Sequence, residues 1–271
     1  MLDPYIESVL IFTGINVVLA LSLYLPVSAG LLSLGQGGFM AIGAYTSGYL
    51  TAVAEWPFSI ALLCGGLMAG LVGLIVGIPT LRIKGVYLII MTMGFGEIVR
   101  VFFLNFEPTG AASGLGGIPT YTTLPVVWAV AFLMLFLCFQ IRGSRIGRAI
   151  EAVRDDELAA EVIGINLTRV KVSIFGLGAF VAGIGGGLFA HYATFIDPGQ
   201  FSYARSAEIF MMVVLGGMGN FIGAAVGAIV VTVLPELLRV GDAQEWRMTV
   251  FGALLVLIMI VRPWGLLGVR R

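Results

Sequence analysis

FSIALLCGGLMAGLVGLIVGIP, residues 58–79, holds no charged side chain over the length that decides the fold. A helix rises about 1.5 Å per residue, so this stretch reaches across a hydrocarbon core of about 30 Å. Its glycines fall at Gly66 and Gly70 and again at Gly73 and Gly77. Small residues four apart share one helix face and let a second backbone come close. The stretch reads as a transmembrane helix built for tight packing.

The rest of the chain has the same character. Of 271 residues, 59% are apolar and 11% charged, and the mean hydropathy is +1.04. A soluble domain is about a quarter charged, so a soluble fold is excluded. Fifteen Lys and Arg balance fifteen Asp and Glu, which leaves none of the basic excess that nucleic acid binding draws on. Gly, at 38 residues, is used at roughly twice its average frequency without a collagen-like period. Part of the excess forms further small-xxx-small series, Gly183 with Gly187 and Gly219 with Gly223 and Gly227. Cys64 and Cys138 lie in apolar runs, where a thiol behaves as a small hydrophobe. Met1 to Glu7 carries acids and no Lys or Arg, unlike a signal peptide, so the first apolar run is expected to stay as a helix.

Cutting the chain where long apolar runs meet charge, Pro or polar clusters gives nine candidate spans, at 6–25, 29–52, 58–79, 85–104, 124–141, 170–191, 203–218, 220–239 and 247–263. The seventh is short for a crossing, and Gly216, Gly217, Gly219 and Asn220 part it from the eighth, so a re-entrant pair is the alternative there. The fold class expected is all-α: a polytopic bundle of about 8–10 transmembrane helices forming one domain over 1–271. Basic clusters stand at Arg82 and Lys84, at Arg142, Arg145, Arg148 and Arg154, and at Arg262, Arg270 and Arg271. The positive-inside rule places all three in the cytoplasm, and even numbers of spans separate them. The N-terminus and the loops 105–123 and 192–202 then fall outside, and the C-terminus inside.

SRIGRAIEAVRDDELAAEVIGIN, residues 144–166, interleaves Ile146, Ile150, Val153 and Leu158 with charges and reads as an amphipathic helix at the cytoplasmic face. It could lie on lipid or dock a protein. Its acids, Asp155, Asp156 and Glu157, favour a protein over an anionic lipid surface.

Intramembrane catalysis needs a nucleophile with a base, or a bound metal. His191 is the lone histidine and is expected to be structural, no HExxH pair exists, and Ser113 falls in an external loop. Lys84 and Lys171 are the two lysines, and neither belongs to a phosphate-cradling GxxxxGK[ST] loop. No catalytic or metal site and no cofactor of its own is therefore expected, and any ATP that drives the protein is hydrolysed by a partner.

VSAGLLSLGQGGFMAIGAYTSGYL, residues 27–50, interrupts a span with Ser33, Gly35, Gln36, Gly37 and Gly38. Counted from the cytoplasmic end, Gln36 is expected about 15 Å deep, near the midplane. Broken helices line the sites of transporters, and glycines also serve close packing, so both readings stand. Glu97 with Arg100, and Arg205 with Glu208, are opposite charges three apart that can pair on one helix face, either as local partners near the outer boundary or as a gate or docking contact.

Three blocks, GLLSLGQGGFMAIGAY (30–45), LRIKGVYLIIMTMGFGEIVR (81–100) and GRAIEAVRDDELAAEVIGIN (147–166) continuing through FVAGIGGGLFAHY, resemble the permeases of branched-chain amino acid ABC importers. VVLGGMGNFIGAAVGAIVV, 213–231, resembles the same family's final block. The resemblance implies a multi-pass subunit of the bacterial inner membrane with four kinds of neighbour: a second related permease, two ATP-binding cassette subunits, an extracytoplasmic solute-binding protein and lipid. It makes 142–166 a coupling element for the ATPase, with Arg154, Glu157, Ala159, Ala160 and Gly164 as its residues. Candidate path residues are Ser33, Gln36, Gly37, Gly38, Tyr45, Thr92 and Gly94. Related permeases carry urea, short amides or aromatic acids. A stand-alone carrier would instead need its own ion-coupling carboxylate, for which Glu97, Glu208 and Glu236 are the candidates.

Overall fold

The computed structural model describes residues 3–80, 83, 85–237, 252 and 265–267. The candidate span 247–263 and the cations Arg82, Lys84, Arg262, Arg270 and Arg271 lie outside the described residues. The α-helices among the described residues are α1 (Pro4–Ser28), α2 (Gln36–Ala52), α3 (Phe58–Thr80), α4 (Val86–Asn105), α5 (Leu124–Gly143), α6 (Arg145–Asp155), α7 (Glu157–Val162), α8 (Leu167–Ala193), α9 (Tyr203–Gly216) and α10 (Phe221–Leu237). Five of these, α1, α3, α4, α5 and α8, are long and apolar enough to cross a membrane, and α9 and α10 meet at 120°. One end of the bundle carries Arg142, Arg145, Arg148 and Arg154 and is here the basic end. At the opposite end the connections 106–123 and 194–202 are tied by paired hydrogen bonds between Leu115 and Ile196, 2.8 and 3.0 Å.

Residue choice explains the packing. Helix α1 is apolar all round, and from Thr13 to Val27 every side chain is buried, so it runs inside the bundle rather than against lipid. Helix α8 is the hub that touches α1, α2 and α3. Its glycines face different neighbours: Gly183 lies against Gly65 and Ala69 of α3, Gly185 against Leu19 of α1, and Gly186 against the Met40 carbonyl of α2. The expected pairs meet the same helix, Gly66 and Gly70 at Phe180, Gly73 at Ala179 and Gly77 at Phe175. Gly223 and Gly227 close the α9–α10 contact against Gly216 and Met212, whereas Gly219 has open space around it in the turn.

Two spans depart from the sequence reading. The second is helical only from Gln36, because α1 runs on to Ser28 and ends in a Schellman turn, with Gly30 at φ +78 and Leu31 N–H donating to the Pro26 carbonyl at 3.0 Å. The amphipathic stretch is not one helix. Asp156 takes an extended conformation, ends α6 and caps α7 by accepting from the Leu158 and Ala159 N–H groups at 2.9 and 3.1 Å. His191 is structural: its Nδ1 faces the Gly187 carbonyl at 2.7 Å and its Nε2 the Thr51 hydroxyl at 2.9 Å, which ties α8 to α2.

A Cβ on Gly43 would sit 2.1 Å from the Gly183 carbonyl oxygen, while one on Gly94 meets nothing within 4 Å. Gly43→Ala is therefore expected to destabilise the protein by about 1–3 kcal/mol or more. Gly94→Ala should leave it unchanged or raise stability by up to about 1 kcal/mol. Thermal unfolding of the detergent-solubilised variants measures the difference.

Candidate functional site

The candidate path residues fall into three places. Ser33, Gln36, Gly37, Gly38 and Thr92 gather where α2 starts, enclosed by α1, α4 and α9. Because residues 31–35 are not helical, their backbone donors need partners other than the usual ladder. Thr92 Oγ1 accepts from Leu34 N–H at 3.0 Å, Ser33 Oγ from Gly35 N–H at 3.1 Å, and Ser206 Oγ of α9 from Gly37 N–H at 2.9 Å. Gln36 is 1% exposed, and its Oε1 accepts from the Ser22 hydroxyl at 3.3 Å. Gly38 lies against the Gly96 backbone and the Phe95 ring. Ser22 stands six residues before the end of α1 and Thr92 six after the start of α4, which puts Gln36 about 9 Å along these helices from their ends at the basic side. The sequence count began its climb at Val27, which still belongs to α1. Ser22 and Ser206 complete this knot, and no local pattern marked either.

Tyr45 lines a cavity of about 710 Å³ between α2, α3 and α4, with Ile42, Tyr49, Met68, Phe102 and Phe103 around it. Its ring stacks on Phe103 at 4.1 Å, and its buried hydroxyl has no hydrogen-bond partner among the described residues. Gly94 stands apart on the exposed side of α4.

Both charged pairs form, and both lie within the span rather than at its rim. Glu97 is eleven residues into α4, about 16 Å from the start of the helix. Its Oε2 accepts from Arg100 Nε at 2.7 Å and its Oε1 from Tyr203 N–H, the first residue of α9, at 3.1 Å. A carboxylate at that helix start is favoured by the dipole as well as by the bond. Arg205 is enclosed, donating to Glu208 at 2.5 Å and to Asn16 at 2.6 Å while lying over the Phe12 ring. Glu236 accepts from the Tyr5 hydroxyl. All three carboxylates that a carrier could use are thus engaged.

At the basic end the expected coupling residues divide between inner and outer faces. Ala160 is 1% exposed and packs within the chain. Glu157 Oε1 accepts from Lys171 Nζ of α8 at 2.7 Å, with Lys171 buried, so this acid fastens α7 to the bundle. A lysine at the start of a span beside three acids was the sequence signal for that tie. Arg154 reaches Asp155 at 3.3 Å. Gly164 takes φ +87, with Gly164 N–H donating to Glu161 O and Ile165 N–H to Ala160 O, both 3.0 Å, the Schellman stop expected there. Ala159 faces outward, and beside it Leu158, Val162 and Ile163 are 75%, 88% and 73% exposed. The apolar surface at this end is that ridge, with Ala160 turned inward.

The family described as branched-chain amino acid transport system permease component matches residues 5–259. The chain is 38% identical, over 95% of its length and 67% of the relative's, to the high-affinity branched-chain amino acid transport system permease protein LivM of Escherichia coli. It is 36% identical to LivH of Salmonella typhimurium over 54% of this chain and 48% of that one. It is 24% identical to the fructose import permease protein FrcC of Rhizobium meliloti over 88% of its length. No solved structure matches.

Ser206→Ala leaves the buried Gly37 N–H without its acceptor, an expected loss of about 1–3 kcal/mol. Thr92→Val does the same to Leu34. If the knot is packing, both variants lower thermal stability, and transport falls only with abundance. Unchanged stability with an altered KM would make the knot part of the path.

Proposed function

The chain belongs to the family of branched-chain amino acid transport system permease components, and we propose that it is the permease subunit of an ATP-binding cassette importer for branched-chain amino acids. The likeness to LivM over 95% of the chain carries the substrate class, since the more distant fructose permease shows that the same scaffold serves other solutes.

In this reading the basic end is cytoplasmic, with the C-terminus on that side and the N-terminus outside. Residues 265–267 lie there, Leu266 N–H donating to the Leu215 carbonyl at 2.8 Å and Leu267 N–H to Gly216 at 3.1 Å. A second related permease completes the membrane part, two ATPase subunits supply hydrolysis from the cytoplasm, and an extracytoplasmic binding protein delivers the amino acid. The membrane is the bacterial inner membrane.

The α6–α7 element is the contact with the ATPase. A coupling element must move the bundle when its partner moves, so it has to be fastened inward and open outward. The Glu157–Lys171 pair, buried Ala160, Ile150 and Val153 supply the first requirement, and Leu158, Val162 and Ile163 the second. A lipid-facing role fits worse, because Asp155, Asp156 and Glu161 are exposed on the same element and would repel anionic headgroups.

Val162→Asp places a charge on the outermost apolar side chain of that ridge without touching the interior. The variant is expected to insert and reach normal abundance but to lose ATPase co-purification and at least about tenfold of uptake, the scale of one interface anchor. Normal ATPase association together with normal uptake would remove the ridge from the coupling contact.

A further inference from the structure

We infer that the guanidinium of Arg100 forms a carboxylate-binding subsite on the exposed wall of α4, positioned by Glu97 to take the α-carboxylate of the transported amino acid. The inference rests on the importer reading above and adds a residue to it.

Arg100 and Arg205 differ in what their terminal nitrogens meet. Arg205 spends both terminal nitrogens on Glu208 and Asn16, and its side chain is 10% exposed. Arg100 is held through Nε alone, and its two terminal nitrogens have no hydrogen bond or ion pair among the described residues, with the side chain 31% exposed. An arginine fork with both terminal nitrogens free in a low-dielectric span is incompletely satisfied, and its natural complement is a carboxylate bound through both oxygens.

Snorkelling does not account for it. Arg100 lies five residues from the end of α4, so the nearer interface is about 7 Å away, beyond Asn105. The side chain turns the other way, back one turn to Glu97 and the middle of the span. Glu97 meets Arg100 through Nε, while its other oxygen accepts from Tyr203 N–H at the start of α9.

The surroundings leave room for a ligand. Gly94, three residues before Glu97 on the same stripe, is exposed with open space beside it, and Ala204 of α9 is exposed one residue beyond the Glu97 contact. Glu97 and Arg100 together carry no net charge, so the wall suits a zwitterion, which also brings none. A carboxylic acid anion would carry a net charge into the span. An acidic side chain of the second permease has the same chemistry as the substrate carboxylate, and the test separates them.

The test uses the complete importer, reconstituted, with Ala204→Cys as a reporter for a hydrophilic thiol reagent. Leucine is expected to slow labelling about tenfold or more, and 3-methylbutylamine, the same molecule without its carboxylate, is expected not to. With Arg100→Gln, leucine protection and uptake should both fall about tenfold, while the second permease still co-purifies. Arg100→Lys, which keeps the charge and loses the fork, should fall between. Three outcomes overturn the subsite: protection unchanged by Arg100→Gln, equal protection by the amine, or loss of the second permease in Arg100→Gln, which would assign the carboxylate to the partner. Absence of leucine uptake by the unmodified importer would instead sink the substrate reading on which the subsite rests.

Discussion

A backbone N–H inside a hydrocarbon slab has no water to turn to, and the arrangement of this bundle follows from where that constraint is hardest to meet. Continuous helices meet it by themselves. The two helices that start inside the bundle, α2 and α9, expose donors that only side chains from other helices can accept. Thr92 and Ser206 serve α2, and Glu97 serves α9. Each acceptor sits on a neighbour, so the breaks hold the bundle together. Close approach is the precondition, and the glycine faces of α8 and α3 supply it: Gly183 and Gly186 put backbone against backbone where any side chain would collide.

Within that interior the Tyr45 hydroxyl stays unpartnered among the described residues, and at the surface two further places are left open. One is the fork of Arg100 on the outer wall of α4, and the other is the ridge of Leu158, Val162 and Ile163 beyond the span. Each is fixed from behind by an ion pair, Glu97 for the first and Glu157 with Lys171 for the second. The pattern of a rigid interior with two outward, unfulfilled surfaces is what a subunit needs if it receives a solute on one side and force on the other. A stand-alone carrier has no use for the second surface.

Much of this was legible in the sequence, because hydropathy and glycine spacing report on the slab and on helix contact directly. The spans at 58–79, 85–104, 124–141 and 170–191 coincide with α3, α4, α5 and α8 to within a few residues, and the glycines of the expected series, Gly219 excepted, lie against neighbouring helices. Gly164 was readable as a left-handed stop because few other residues tolerate that conformation. What escaped depends on one residue overriding a pattern. Asp156 is a strong cap and cut an amphipathic helix in two. The turn at Gly30 set where α2 begins, and the side chains that serve the donors there, Thr92 and Ser206, stand far off in sequence. The outward face of α7 could not be read because a short helix shows its orientation only through what it docks on, here Lys171.

The account turns on energy entering through a partner at the basic end rather than through an ion site in the span. Uptake of radiolabelled leucine into proteoliposomes tests it most directly, with the permease pair and ATPase subunits in the bilayer, binding protein outside, and ATP enclosed or omitted. Accumulation against a gradient only when ATP, ATPase and binding protein are all present is the expected result. ATP-independent accumulation by the permease chains alone, driven by a sodium or proton gradient, would contradict it.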